Sequence, residues 1–224
     1  MTRRLVAEGL GTAYLLAIVI GSGIMGERLA GGNVAIALLG NTLATGTGLV
    51  VLILVFGQIS GAHFNPAVTL SEAMRGQLRW SEVPPYVVAQ ILGAFAGVAA
   101  AHLMFEEPLF FASQHVRTGP AQWWSEFIAT FGLLATILGC ARHRPAAIPF
   151  AVGLYITAAY WFTASTSFAN PAVTLARAAS DTFAGIRPVD APMFIVAQLA
   201  GAASAVGVFS WLFVQPGHER SNNE

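Results

Sequence analysis

The chain has 224 residues, 55% of them hydrophobic and only 10% charged, with a formal net charge of zero. About a quarter of a soluble domain is charged, so there is too little polar surface here to coat a water-exposed globule. Zero net charge gives no electrostatic ground for a nucleic-acid partner, and the lone Cys140 excludes an intrachain disulfide framework.

The first apolar run, Leu5–Met25, carries Glu8 and Thr12 near its start. Its length, with no small-residue cleavage site leading into a polar segment, reads as a retained helix rather than a leader. A second run follows at Val34–Phe56, and then the hexapeptide Asn65-Pro66-Ala67-Val68-Thr69-Leu70, preceded by His63. Further runs span Tyr86–Leu103, Trp123–Cys140 and Ala147–Ala164. The hexapeptide then returns as Asn170-Pro171-Ala172-Val173-Thr174-Leu175, and the last run is Pro192–Val214. A helix needs about 20 apolar residues to span a hydrocarbon core, so six runs read as spans. With six spans both termini share a side. That side holds Arg3, Arg4, Arg75, Arg79, Arg142, Arg144 and Arg220, against Arg28, Arg117, Arg177 and Arg187 on the other. The excess of arginine places the termini in the cytoplasm, which predicts a multi-pass protein of the inner (plasma) membrane.

Three marks repeat in consistent order. Glu8-x-x-x-Thr12 pairs with Glu126-x-x-x-Thr130, the two hexapeptides pair with each other, and Ala89-Gln90-x-x-Gly93-Ala94 pairs with Ala197-Gln198-x-x-Gly201-Ala202. The single domain, 1–224, therefore reads as two halves, about 1–112 and 113–215, with a short tail at 216–224. Each half has three spans, an odd number, so the second is inverted relative to the first, as in known transport proteins.

Asn is among the best N-cap residues, and Pro suits the first helical position. The hexapeptides are thus predicted to start short helices, running to about Arg75 and Ala179, roughly 15 Å long. That is half of a hydrocarbon core of about 30 Å. Two half-helices entering from opposite faces would meet at the centre, where irregular backbone survives only inside protein or along a watery path. Each N-terminus carries about half a positive charge, a barrier to cations. If each Asn oxygen caps its own helix, its NH2 group is left to donate to a passing hydroxyl. A water held there cannot accept from its neighbour in the file, which opposes proton hopping. A neutral, hydroxyl-bearing solute passes. No nucleophile–base set or metal-ligand spacing is present, so neither an enzyme nor a cofactor is indicated.

On these residues the chain resembles the aquaporin (major intrinsic protein) family, whose mark is two Asn-Pro-Ala loops in inverted halves. The resemblance implies an all-α membrane fold of six transmembrane helices plus two re-entrant half-helices, one pore per protomer, and a homotetramer. By position, Glu8 and Glu126 resemble the family's buried glutamates that support the loops; the alternative for them is proton coupling in an ion-coupled secondary transporter. His63 fits the family's first loop. The family's outer constriction maps onto Thr45, Ala158, Ser167 and Val173, the two span positions assuming no insertions. Most members carry Arg where Val173 stands. The four residues imply a wide, uncharged filter, with Arg177, one turn further on, as a vestibule residue able to pair with Asp181. Such a filter suits water, glycerol, urea and metalloid hydroxides such as arsenite, and the valine resembles a bacterial aquaglyceroporin-like branch associated with arsenite permeation. A water-selective aquaporin is the alternative within the family.

Overall fold

The computed structural model describes residues 1–213; the predicted tail at 216–224, Arg220 and the last residue of the sixth run, Val214, lie outside them. Eight α-helices follow in order: α1 Thr2–Leu29, α2 Val34–Ser60, α3 Pro66–Met74, α4 Val83–Phe105, α5 Pro120–His143, α6 Ile148–Phe162, α7 Pro171–Arg177 and α8 Ala191–Leu212. Among the described residues there are no strands. Six of the helices, three of them with a short 3-10 lead-in, are long and apolar enough to cross a membrane. At 1.5 Å per residue α1 is about 42 Å long, which exceeds a 30 Å core and is accommodated by tilt.

Local chemistry sets the helix ends. The Asn33 side chain accepts from the Ala35 and Ile36 N–H groups to open α2, and Gly61, at φ 92°, closes it. Proline occupies the first turn of α3 to α8, where its missing N–H removes no helical bond. The half-helices are shorter than the sequence spacing predicts: α3 has 9 residues and α7 has 7.

The long helices pack in corresponding pairs, α1 on α4 and α5 on α8, with α2 on α6 between them. Lipid offers no hydrophobic drive for helices to associate, so small residues that let backbones approach are the means. A Cβ on Gly93 would run into the Gly9 carbonyl, one on Gly97 into the Ala13 carbonyl, and one on Gly201 into the Phe127 carbonyl. Between α2 and α6, Gly46 and Gly153 face each other in the same way. These crossings hold α3 and α7 inside the bundle, start to start. Below, the side carrying the start of α1 is the terminal side, and the opposite one the far side.

Candidate functional site

The two loops that enter the bundle share an unusual backbone. In the first, Ala62 and Phe64 have φ of 50° and 49°; in the second, Ser167 and Ala169, 105 residues later, have 51° and 48°. The left-handed region costs a non-glycine residue about 1–2 kcal/mol, so something must hold these loops. Buried carboxylates do. Glu8, on α1, accepts from the Ser60 hydroxyl at 2.6 Å, the N–H groups of His63 and Phe64 at 3.0 and 2.7 Å, and Gln90 Nε2 at 2.8 Å. Glu126, on α5, accepts from the N–H groups of Phe168 and Ala169 at 2.9 and 2.8 Å and from Gln198 Nε2 at 2.6 Å. Each glutamine also donates to the threonine of its hexapeptide, Gln90 to Thr69 and Gln198 to Thr174, both at 2.8 Å. Those threonines in turn donate to the carbonyls of Asn65 and Asn170. Every partner of the two carboxylates is a donor, and neither side chain lines the cavity described below. The bonds they make are those of loop support.

The asparagines cap as their sequence context predicts. Asn65 Oδ1 accepts from the Ala67 N–H, and Asn170 Oδ1 from those of Ala172 and Val173. Their amide nitrogens are less free than the sequence suggests. Asn65 Nδ2 donates to the Ala169 carbonyl and Asn170 Nδ2 to the Phe64 carbonyl, each at 2.8 Å. One N–H of each amide thus ties its loop to the other loop, and one is left for the cavity. Pro66, Ala67, Pro171 and Ala172 are buried behind them.

Both asparagines line a cavity of about 440 Å³ that runs from Glu72 and Arg75 on the terminal side to Arg177 on the far side. His63 lines it on the terminal side of the asparagines, with Nδ1 3.1 Å from Thr69 Oγ1. On the far side it is lined by Thr45, Ser167 and Val173. The Ser167 hydroxyl is buried and has no hydrogen-bond partner among the described residues.

Two sequence expectations need correction. Ala158 is exposed on the outside of the protomer and does not line the cavity. Tyr160 does, two residues on and about 200° further round the helix. The Tyr160 hydroxyl reaches across to Thr45 Oγ1 at 3.3 Å, joining α6 to α2. Counting twelve residues back from Asn170 assumes a connection of standard length, and α6 ends at Phe162, so the inward face falls two residues later. Arg177, for its part, does not pair with Asp181. Asp181 Oδ1 accepts from the Gln114 N–H, while Arg177 is only 2% exposed and lines the cavity. Its guanidinium lies over the Phe168 ring, 3.3 Å from the centroid, and its Nε donates to the Ala184 carbonyl.

Sequence reasoning missed three further residues. Tyr160 and Phe168 carry no motif that would announce them. Arg117, in the far-side loop, donates from Nε to the Gly185 carbonyl at 2.8 Å and from Nη1 to the Ser165 carbonyl at 3.2 Å. It also lies over Phe168, 5.1 Å from the centroid, and burial lowers its pKa from the usual arginine value. Gln90 and Gln198 were visible as part of the repeat, and their shared spacing was the signal that they act alike. Among the described residues no group of three His, Cys, Asp or Glu side chains is placed to hold a metal.

A bundle of six spans, with two helix starts and two amide donors facing a cavity through its centre, defines a membrane channel for small uncharged solutes. The profile of the major intrinsic proteins matches residues 1–146 and 141–223. The aquaglyceroporin AqpS of Rhizobium meliloti (strain 1021) is 57% identical over 96% of this chain and 92% of its own. Aquaporin Z of Bradyrhizobium diazoefficiens is 29% identical over 96% and 95%. The X-ray structure of the aquaglyceroporin from Plasmodium falciparum superposes with a TM-score of 0.70, at 24% identity and over 94% of both chains, and shares the fold. The chain belongs to the major intrinsic protein family. It is a multi-pass membrane channel and not an enzyme.

Proposed function

We propose that the channel passes glycerol, urea and metalloid hydroxides such as arsenite as well as water, and that its far-side constriction is formed by Thr45, Tyr160, Ser167 and Val173, with Arg177 at the mouth. The observation that carries this reading is the buried Val173 in the cavity wall. Its methyl groups sit where a guanidinium would narrow the passage and repel cations. The wall also carries the hydroxyls of Thr45 and Tyr160. A polyol or trihydroxy solute can turn its oxygens to one wall and its carbons or central atom to the other. The likeness to a relative named as an aquaglyceroporin supports the same reading.

Charge is kept out at the centre. The starts of α3 and α7 each bring about half a positive charge to the midpoint, and the remaining N–H of Asn65 and Asn170 holds a passing oxygen as an acceptor. We place both termini in the cytoplasm and the channel in the inner (plasma) membrane. We take the halves to be 1–112 and 113–215, and the assembly to be a homotetramer. Stopped-flow light scattering of reconstituted vesicles against water, glycerol, urea and arsenite tests the solute range. Flux of all four is expected, and a pore that passes water alone would overturn the assignment. Uphill accumulation driven by a proton gradient would overturn the passive mechanism.

A further inference from the structure

We infer that the far-side mouth is a binding site for a small oxyanion, held inside the cavity by the Nη edge of Arg177. Arg177 is a buried cation with no carboxylate in direct contact: it is 2% exposed, and no carboxylate among the described residues pairs with it. Among the described residues its side chain makes one hydrogen bond, from Nε to the Ala184 carbonyl. One face of the guanidinium is covered by Phe168. What remains is the pair of Nη groups, on a side chain that lines the cavity. A planar fork of donors of this kind matches two oxygens of a phosphate-like anion.

The surroundings strengthen the case. Arg117 lies over the same Phe168 ring, so two guanidiniums are held near one another. Arg117 does not line the cavity; it contributes charge rather than contact. The neighbouring acids are already engaged. Glu126 keeps its charge while accepting from the Phe168 and Ala169 N–H groups and from Gln198, and it touches neither guanidinium. Asp190 pairs with Arg187 and accepts from the Arg117 N–H, and Asp181 is exposed and accepts from Gln114. Tyr160 supplies a hydroxyl nearby. Two guanidiniums beside the single Glu126 carboxylate leave an excess positive charge in a partly dry site, and an anion neutralises it. An anion seated at Arg177 lies in the solute path and obstructs it.

Inorganic phosphate is the probe. Its ³¹P resonance is followed with the detergent-solubilised protein, and glycerol flux is measured in vesicles with phosphate on both sides at constant ionic strength and osmolarity. Saturable line broadening and saturable slowing of glycerol are expected, with the same apparent affinity. Arg28→Gln, an exposed far-side arginine paired with Glu107, is expected to leave both effects in place, and Arg177→Gln to abolish both. Arg177→Lys, which keeps the charge and loses the fork, is expected to weaken phosphate binding at least tenfold, and it carries the test should the glutamine variant not fold. No broadening in the unaltered protein, or equal broadening in the Arg177 variants, overturns the site. The flux readout rests on the proposed solute range, whereas the resonance does not. A channel that passes no glycerol yet binds phosphate therefore refutes that range and leaves the anion site standing.

Discussion

Val173 and Arg177 lie one turn apart on α7, and both line the cavity. Replacing Val173 with arginine would therefore place a second guanidinium about 6 Å along the helix from the first. At an effective dielectric constant of about 20, two unit charges at that distance repel by about 3 kcal/mol. Water in the cavity screens part of this, so a coupling of about 1.5–3 kcal/mol is expected between the two positions, within the range seen for contacting residues. Val173→Arg alone should lower stability by the repulsion plus the lost packing of the valine methyls. Arg177→Ala alone should lower it through loss of the Phe168 stacking, worth about 2 kcal/mol when desolvated. The double variant should be more stable than the two losses added together, because the repulsion is gone. Unfolding of all four proteins in mixed micelles measures the coupling. Vesicle flux runs alongside it: Val173→Arg should slow glycerol and arsenite more than water. A coupling below about 0.5 kcal/mol, the usual scatter of independent sites, would show that the two side chains do not share one space and would refute the reasoning.

The glutamate that holds the second loop gives another test. Glu126→Gln keeps the shape but offers one acceptor where two backbone N–H groups need one each, so at least one of Phe168 and Ala169 is orphaned, at a cost of about 1–3 kcal/mol. Lower thermal stability and lower flux are expected together, and unchanged values would show that the loop does not depend on the carboxylate. The constriction is tested by a pair of variants two residues apart. Tyr160→Leu, which removes the bridge to Thr45, is expected to raise glycerol flux relative to water, whereas Ala158→Leu, on the outside of the protomer, is expected to leave the ratio unchanged. The reverse result would return the constriction to Ala158.

What could be read in advance follows a physical division. Spans are legible because hydrocarbon demands long apolar runs, and all six correspond to long helices. The half-helix starts are legible because Asn and Pro act within two or three residues of themselves, and Asn65 and Asn170 cap as that chemistry requires. Residues counted from those motifs, Ser167 and Val173, do line the cavity. Ala158 does not, because its position was counted across a helix end, and helical phase is lost where a helix stops. The bonds from each asparagine to the opposite loop were equally out of reach, since they join residues 104 and 106 apart. The Arg177–Asp181 pairing failed for a related reason. Spacing of i to i+4 pairs side chains only while the helix continues, and α7 ends at Arg177 itself.

That ending also explains why a valine can stand at 173. An arginine there would sit in the first turn of α7, in the same positive field that the two helix starts create at the centre. At 177 the guanidinium lies in the last turn, where a cation interacts favourably with the helix dipole by about 0.3–1 kcal/mol, and where Phe168 covers one of its faces. Carrying the charge on the last turn of α7 thus removes a conflict and leaves the wall at 173 aliphatic, with Thr45 and Tyr160 supplying hydroxyls. A cation entering from the far side meets the guanidinium first and the helix starts second. A neutral polyol keeps hydroxyl partners through the interval between them, so the separation of the two barriers opposes charge without narrowing the path for larger uncharged solutes.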